Sequence, residues 1–343
     1  MEKYFGGNFG YVMGKESSRD PEKYLLGPIE IENEIKNFEW HGLNNELPYP
    51  SIQEHIGLVD KDYYYLIGGE NNDRALKILY RYDITEEYWT ELSSAPFYLR
   101  NSAGAIWENK IYVFGGTDSS NSNAHNHLLE YDIELDIWTE LFPTGSAPMP
   151  RVKHDMVAIN GKLYIGFGAD YTSEDHFNNI YDIWSYDIEN NSWTQEAENL
   201  DISSYFTTQG RLDYYGDNLY YLVSSHTGYN YPNILFKFDL ENHSWTNVGE
   251  ILYPRIDFEI SIYENKLYIY GNNSSTDPIM EIYDLDTNIS EEFPIDDLGY
   301  SRQQGSFGEI ENGIFMLCGG KNLRDFRMLD LRLRDYTLWV PVL

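Results

Sequence analysis

Three short patterns recur along this chain in a constant order and in step with one another, and such a chain must fold as a series of like units packed on their neighbours. The first is an apolar strand ending in small residues, as in Tyr64-Tyr65-Leu66-Ile67-Gly68-Gly69, Ile111-Tyr112-Val113-Phe114-Gly115-Gly116 and Phe315-Met316-Leu317-Cys318-Gly319-Gly320. Looser copies run Leu163 to Gly168, Leu219 to Ser224 and Leu267 to Asn272. The second is an aromatic or apolar residue followed by Asp, from Tyr82-Asp83, Tyr131-Asp132, Tyr186-Asp187 and Phe238-Asp239 to Tyr283-Asp284 and Leu329-Asp330. Seven residues after the first member of each pair stand Trp89, Trp138, Trp193 and Trp245, then Ser290 and Tyr336.

The third pattern is a tight turn before each small-residue strand, such as Glu108-Asn109-Lys110, Asn160-Gly161-Lys162 and Gly216-Asp217-Asn218. Asn, Asp and Gly tolerate the positive φ of two-residue hairpin turns, so these join antiparallel neighbours. Similar turns follow the Tyr-Asp pairs, and each repeat therefore reads as a four-stranded meander. Near the N-terminus, Tyr11-Val12-Met13-Gly14 matches the strand pattern, with Ile31-Glu32 and Phe38 in the Tyr-Asp and Trp positions. Counted from Phe38, the blade-closing positions recur every 45 to 55 residues.

Paired glycines, Tyr-Asp and Trp at this period resemble the kelch-repeat β-propeller family, over nearly the whole chain and most closely in residues 50 to 250. The resemblance implies a ring of four-stranded antiparallel sheets around a central channel. The expected fold is an all-β, seven-bladed kelch-type β-propeller, with six blades the alternative count, formed by residues 1–343 as one domain. Its blades would cover about 1–42, 50–94, 98–142, 150–197, 204–249, 254–294 and 301–343. Glycine is expected where crowding blades exclude a Cβ, and Trp is expected to insert between sheets. The Asp after Tyr is expected to bond backbone in the turn that follows.

With 56 acidic against 24 basic residues the formal charge is −32, which repels nucleic acid and anionic membranes. The single cysteine, Cys318, allows neither an internal disulfide nor a cysteine-cluster metal site. The first residues hold no apolar signal core, and no run of 18 apolar residues occurs. A cytoplasmic or nuclear location is the expectation.

Strand parity places the loop after each second strand and the connection to the next blade on one rim. The long segments there, Lys15 to Lys23, Thr117 to His127, Ala169 to Asn179, Ser224 to Tyr231 and Asn272 to Pro278, make this face the expected binding surface. Arg100, Arg151, Arg255 and Arg302 each precede a glycine position by 15 to 17 residues, where the first strand leaves that rim. Gln53 and Gln209 stand near the corresponding place in two other repeats. In kelch proteins that resemble this chain, arginines so placed grip acidic peptides or carboxylates, for which the guanidinium fork is suited. They also serve as framework residues that pair with acidic neighbours. Tyr205, His226, Tyr229 and Tyr231 fall in the same loops and complete the candidate rim.

Chemistry has little support. His125-x-His127 and Glu174-Asp175-His176 are the only histidine groupings with ligand-like spacing, and both lie in polar loops. Kelch copper oxidases need a Cys–Tyr cross-link, whereas Cys318 stands inside a strand; the Glu-x3-Asp-x3-His run of iron-assisted specifier proteins is absent. No catalytic residue, metal or cofactor is assigned. The leading expectation is a protein-interaction scaffold or substrate-recognition module that binds an acidic or carboxylate-bearing segment of another protein. The alternative is a sialic-acid mutarotase-like isomerase using Arg100, Arg151 or Arg255 with His154 at the channel mouth.

Overall fold

The computed structural model describes residues 41–42, 52–60, 62–72, 74–118, 124–173, 176–198, 210–223, 233–273, 279–294, 306–311, 314–318 and 326–330. All of them lie in 36–332, one of two compact units into which the chain divides.

Five blades, A to E, are each formed by one contiguous repeat with strands in sequence order and antiparallel. Their innermost strands are Ile56–Asp60, Ala103–Trp107, Asp155–Ile159, Gly210–Tyr215 and Arg255–Tyr263. A further four-stranded sheet takes Ser306–Glu311, Ile314–Cys318 and Phe326–Asp330 from the last repeat and His41–Gly42 from the other end of the chain. Each inner strand touches the next, and Ser306–Glu311 touches both Arg255–Tyr263 and Ile56–Asp60, which closes the ring.

The expected seven-blade count is therefore corrected, and so is the alternative count of six: the described residues form five blades. Five repeats close on themselves, and the remaining sheet is shared between chain ends. The expectation of a fourth strand near Phe38 came from the Ile31-Glu32 and Phe38 spacing. A strand does form beside it, at His41–Gly42, but it pairs with Phe326–Asp330. Among the described residues, Ser306–Glu311 lies directly beside Ile56–Asp60. Residues 1–40, including Phe38, fall outside the described residues.

The sequence patterns have the expected roles inside blades A to E. Second strands such as Tyr63–Ile67 and Lys110–Phe114 are buried at four consecutive positions, since each is covered on both faces by adjoining sheets. Trp193 packs on Tyr186 of its own blade at 5.2 Å and on Phe114 of the preceding blade at 5.4 Å. Asp132 accepts the Glu134 and Leu135 N–H groups, and Asp83, Asp239 and Asp284 do likewise in their turns. The preceding tyrosine reaches the end of the same turn, with the Tyr131 hydroxyl donating to Asp136 at 2.6 Å and Tyr186 to Asn191 at 2.9 Å. Gly68 and Gly115 adopt φ of 61° and 67°, and a Cβ on Gly68 would lie 2.2 Å from the Leu99 carbonyl oxygen of the next blade.

Candidate functional site

First and second strands in blades A to E are joined by two-residue turns, and third and fourth strands by four-residue turns, all at one rim. The longer second-to-third connections gather at the opposite rim. Two of them carry their own hairpins, Glu70–Asn71 with Arg74–Ala75 and Ala169–Ser173 with His176–Asn179. Loop length thus separates a regular turn face from an irregular loop face.

The loop-face rim is a hydrogen-bonded frame. Just before the inner strands of blades A, B and C stand Glu54, Asn101 and Lys153, with φ of 55°, 54° and 54°. The Asn101 N–H donates to the Glu54 carbonyl at 3.3 Å and that of Lys153 to the Asn101 carbonyl at 3.1 Å, linking the three blades around the channel mouth.

The rim arginines do not share one position. Val152, Arg100 and Gln53 each bridge to the residue after a glycine position, at Ala169, Thr117 and Glu70. Arg151 therefore aligns with Leu99, one residue earlier than Arg100; the Gly69 N–H donates to the Leu99 carbonyl and that of Gly116 to the Arg151 carbonyl. Arg255 belongs with Arg151, because each donates across its own blade, to the Gly271 and Phe167 carbonyls. The spacing of 15 to 17 residues concealed this offset.

Arg151 and Arg255 are fully buried. Arg151 forks onto Asp182 at 2.8 and 3.2 Å, and the Trp184 indole N–H holds the same carboxylate at 2.9 Å. Arg255 lies 3.7 Å from the equally buried Glu281, and burial draws its pKa down while Glu281 opposes the shift. Arg100 keeps 17 % of its side chain exposed and is paired with Glu54 and, at 2.6 Å, with Glu70. Gln53 holds the other Glu70 oxygen at 2.6 Å. Arg302, Gln209, Tyr205, His226, Tyr229 and Tyr231 lie outside the described residues.

His154 is buried, with Nε2 against the Phe114 carbonyl at 3.1 Å. It lines the central cavity, whereas Arg151 does not. His125 and His127 have ring centroids 4.9 Å apart; His127 is bonded to Glu140 at 2.6 Å and stacked on Phe97 at 4.2 Å. Among the described residues no group of three or more His, Cys, Asp or Glu is placed to hold a metal. Glu174 and Asp175 lie outside them.

A set of rim residues went unnoticed in the sequence. The segments Pro96-Phe97-Tyr98, Pro148-Met149-Pro150 and Leu252-Tyr253-Pro254 all precede the rim position, and they leave Tyr98 47 %, Met149 52 % and Leu252 52 % exposed. Glu281 fixes the last segment by accepting the Leu252 N–H at 2.5 Å, and the Asn126 amide holds the Pro148 carbonyl at 3.3 Å. A proline beside a large apolar residue, a few residues ahead of three of the inner strands, was the available signal.

A family model described as the KLHDC2/KLHL20/DRC7 Kelch-repeats domain matches residues 5–206. The chain belongs to the kelch-repeat family. Among curated kelch relatives, it is 24 % identical over 258 residues to the leucine-zipper-like transcriptional regulator 1 homolog of Drosophila melanogaster, covering 69 % of this chain and 26 % of that protein. It is 26 % identical over 199 residues to Kelch-like protein 36 of Rattus norvegicus, covering 58 % and 32 %. With leucine-zipper-like transcriptional regulator 1 of Homo sapiens it shares 26 % over 294 residues, covering 79 % and 34 %. This kelch chain thus spans about a quarter to a third of the length of these relatives. The kelch propeller and its relatives fit a protein-interaction module. No helix among the described residues is long and apolar enough to cross a membrane.

Proposed function

We propose that this kelch propeller is a protein-interaction module, a scaffold or substrate-recognition unit, that receives a segment of a partner protein on its loop face. The observation that carries this reading is the exposure of Tyr98, Met149 and Leu252 ahead of the inner strands of blades B, C and E, the first two of which belong to the hydrogen-bonded frame at the channel mouth. Large apolar side chains on a preorganised frame supply contact area at little ordering cost. Arg151 and Arg255 spend their donors inside the blades, so of the candidate rim arginines that are described, Arg100 is the one left to meet a carboxylate of the partner. Glu54 and Glu70 already pair with Arg100 and would compete with that carboxylate, which makes the apolar contacts the larger part of the interface. An enzyme using Arg151 with His154 has less support, because only His154 lines the cavity.

Affinity capture from native extract with the full chain tests this reading. Combining Tyr98→Ala, Met149→Ala and Leu252→Ala should remove the captured partners while melting temperature stays within a few degrees of wild type. An unchanged partner set would overturn the loop-face assignment. Arg100→Ala, tested separately, should weaken only partners that present a carboxylate.

A further inference from the structure

The fourth strand of each blade is the outer edge of its sheet, and an edge offers N–H and C=O groups to any extended chain that can lie beside it. Proteins blunt such edges with bulges, charges or proline. Blades C and D carry a bulge where the third and fourth strands pair, and their edges are polar, beginning Ser192-Trp193-Thr194-Gln195 and Ser244-Trp245-Thr246-Asn247. In blade E the strand Ile289–Pro294 holds Glu291 and Glu292 and ends on proline. In blade A the strand has four residues and exposes one large apolar side chain, Tyr88.

Blade B is less guarded. Its fourth strand, Ile137–Leu141, contains no bulge, lysine or proline and pairs with Leu128–Asp132 in unbroken register. Ile137 is 54 % exposed, Leu135 just before the strand 64 % and Phe142 just after it 76 %. Apolar side chains are thus presented along the whole length of a regular edge.

Blade C shows which backbone groups such an edge turns outward. Thr144, in the connection from blade B, forms a parallel bridge with Ser192: its N–H donates to the Asn191 carbonyl at 2.9 Å, and its carbonyl accepts the Trp193 N–H at 3.4 Å. Trp138 pairs with Tyr131 as Trp193 pairs with Tyr186, so the Trp138 N–H also points outward, and that of Glu140 follows two residues on. The connection from blade A meets this edge through side chains, with Asp136 accepting the Ser93 N–H at 2.8 Å and the Trp138 indole donating to the Ser93 carbonyl at 2.7 Å. Among the described residues, no backbone group from outside blade B bonds the backbone of Trp138 or Glu140. One outer edge of this molecule already accepts a residue of extended chain, and the neighbouring edge is open to the same contact.

Charge decides what kind of chain fits. From Glu134 to Phe142 there are three carboxylates and no lysine or arginine. Asp136 accepts the Tyr131 hydroxyl as well as the Ser93 N–H and lies under the charge of Arg81 in blade A, and Glu140 is bonded to His127 at 2.6 Å. Glu134 is exposed in the turn, and Lys110 of the same blade is taken by Glu130 at 2.6 Å. A second copy of the chain, itself at −32, would set these carboxylates against their own kind. Alternation along the strand puts Ile137 and Leu141 on one face and Asp136 and Glu140 on the other, so a matching segment carries apolar side chains on one face and cations on the other.

We propose that the outer edge of blade B, Ile137–Leu141 with Leu135 and Phe142 at its ends, binds an extended segment of a partner protein by strand addition, the segment alternating apolar side chains with lysine or arginine. This contact is additional to the one made through Tyr98, Met149 and Leu252.

The test uses the full chain and an acetylated, amidated Lys-Val-Lys-Val-Lys-Val peptide. The controls are Glu-Val-Glu-Val-Glu-Val and a Lys-Val peptide methylated at every backbone nitrogen, which keeps the charge and cannot donate from its backbone. Fluorescence anisotropy of labelled peptide reads binding, and amide hydrogen exchange reads its place. The Lys-Val peptide should bind saturably and slow exchange at Trp138 and Glu140, and neither control should do so. Ile137→Lys should weaken binding at least about tenfold, and Phe142→Ser, at the other end of the edge, should act in the same direction. Ile289→Lys, at the same position in blade E, should leave binding unchanged. Melting temperatures within a few degrees of wild type would show that the variants keep the fold. The proposal is overturned if millimolar Lys-Val peptide leaves both amides unprotected, if either control peptide binds equally, or if Ile137→Lys and Ile289→Lys behave alike. Sedimentation of the chain alone tests the other occupant: a dimer that Ile137→Lys abolishes would assign the edge to a second copy and overturn the basic partner.

Discussion

Gly68, Gly115 and Phe167 occupy the same place in blades A, B and C, since the N–H of each donates to the carbonyl of the residue before its third strand, at Ile78, His127 and Asp182. All three are left-handed, with φ of 61°, 67° and 63°. The glycines let the next blade approach until only hydrogen fits. Phe167 bears the strain of that backbone, lies flat on Tyr221 of blade D at 3.4 Å between ring centroids, and meets the edge of Trp245 at 5.7 Å. The backbone path is thus what the fold demands, while the means of joining two blades, close approach or a stacked ring, is open to choice.

The comparison breaks most severely at Gly68. Gly68→Ala would add left-handed strain and drive a Cβ against the Leu99 carbonyl, a backbone atom that cannot step aside. The expected cost is about 4 kcal/mol or more, from combined strain and overpacking, read as a fall in the urea midpoint. Phe167 allows strain and stacking to be separated. Phe167→Ala removes the ring and keeps the strain, and should cost about 3 to 4 kcal/mol. Phe167→Gly removes both and should be about 1 kcal/mol less damaging than the alanine variant. Equal costs for the two would mean that the left-handed backbone at 167 is unstrained.

Much of this architecture was legible along the chain because it is local. Tyr-Asp, its turn and the Trp seven residues on lie within one hairpin, and that hairpin's chemistry dictates the spacing. Face parity followed from turn length alone. What was hidden is non-local or a matter of one residue. Closure rests on His41–Gly42 pairing with Phe326–Asp330, nearly the full chain apart, and a two-residue strand has no pattern to read. The arginines were visible, but a one-residue difference in register separates Arg100 at the rim from Arg151 inside the blade, and gaps of 15 to 17 residues do not resolve it. Phe167 breaks the glycine pattern in the text while keeping its backbone.

The glycine junctions also carry a pH signature. A Cβ on Gly69 would lie 2.8 Å from that of His55, and one on Gly115 would lie 2.6 Å from His154 Cε1, so a histidine is pressed against each. Burial lowers the His55 pKa to about 4 and holds His154 well below its ordinary value. In the unfolded chain His55 takes up a proton near its ordinary pKa, so stability is present above that value, falls as pH drops below it, and stops falling on this account near pH 4. Between pH 7 and 5 the His55 share is about 2 kcal/mol by linkage, checked by urea unfolding at both values. His55→Asn should reduce the pH dependence by that amount, and an unaltered slope would show that His55 takes up its proton as readily in the folded protein as in the unfolded chain.

The smallest expected effect on stability falls on the outermost layer of the same junction. Tyr98 immediately precedes Leu99, whose carbonyl accepts the Gly69 N–H, yet its ring is nearly half exposed, with Lys77 Nζ 5.9 Å from its centre. Tyr98→Ala should therefore change stability by less than about 0.5 kcal/mol, because the backbone bond that positions it remains. If the loop face binds a partner, the same substitution should lower capture severalfold. A large stability loss would show that Tyr98 belongs to the framework with Gly68, and unchanged capture would remove it from the interface. Either result would move the boundary between the layer that holds the blades together and the layer that is free to bind.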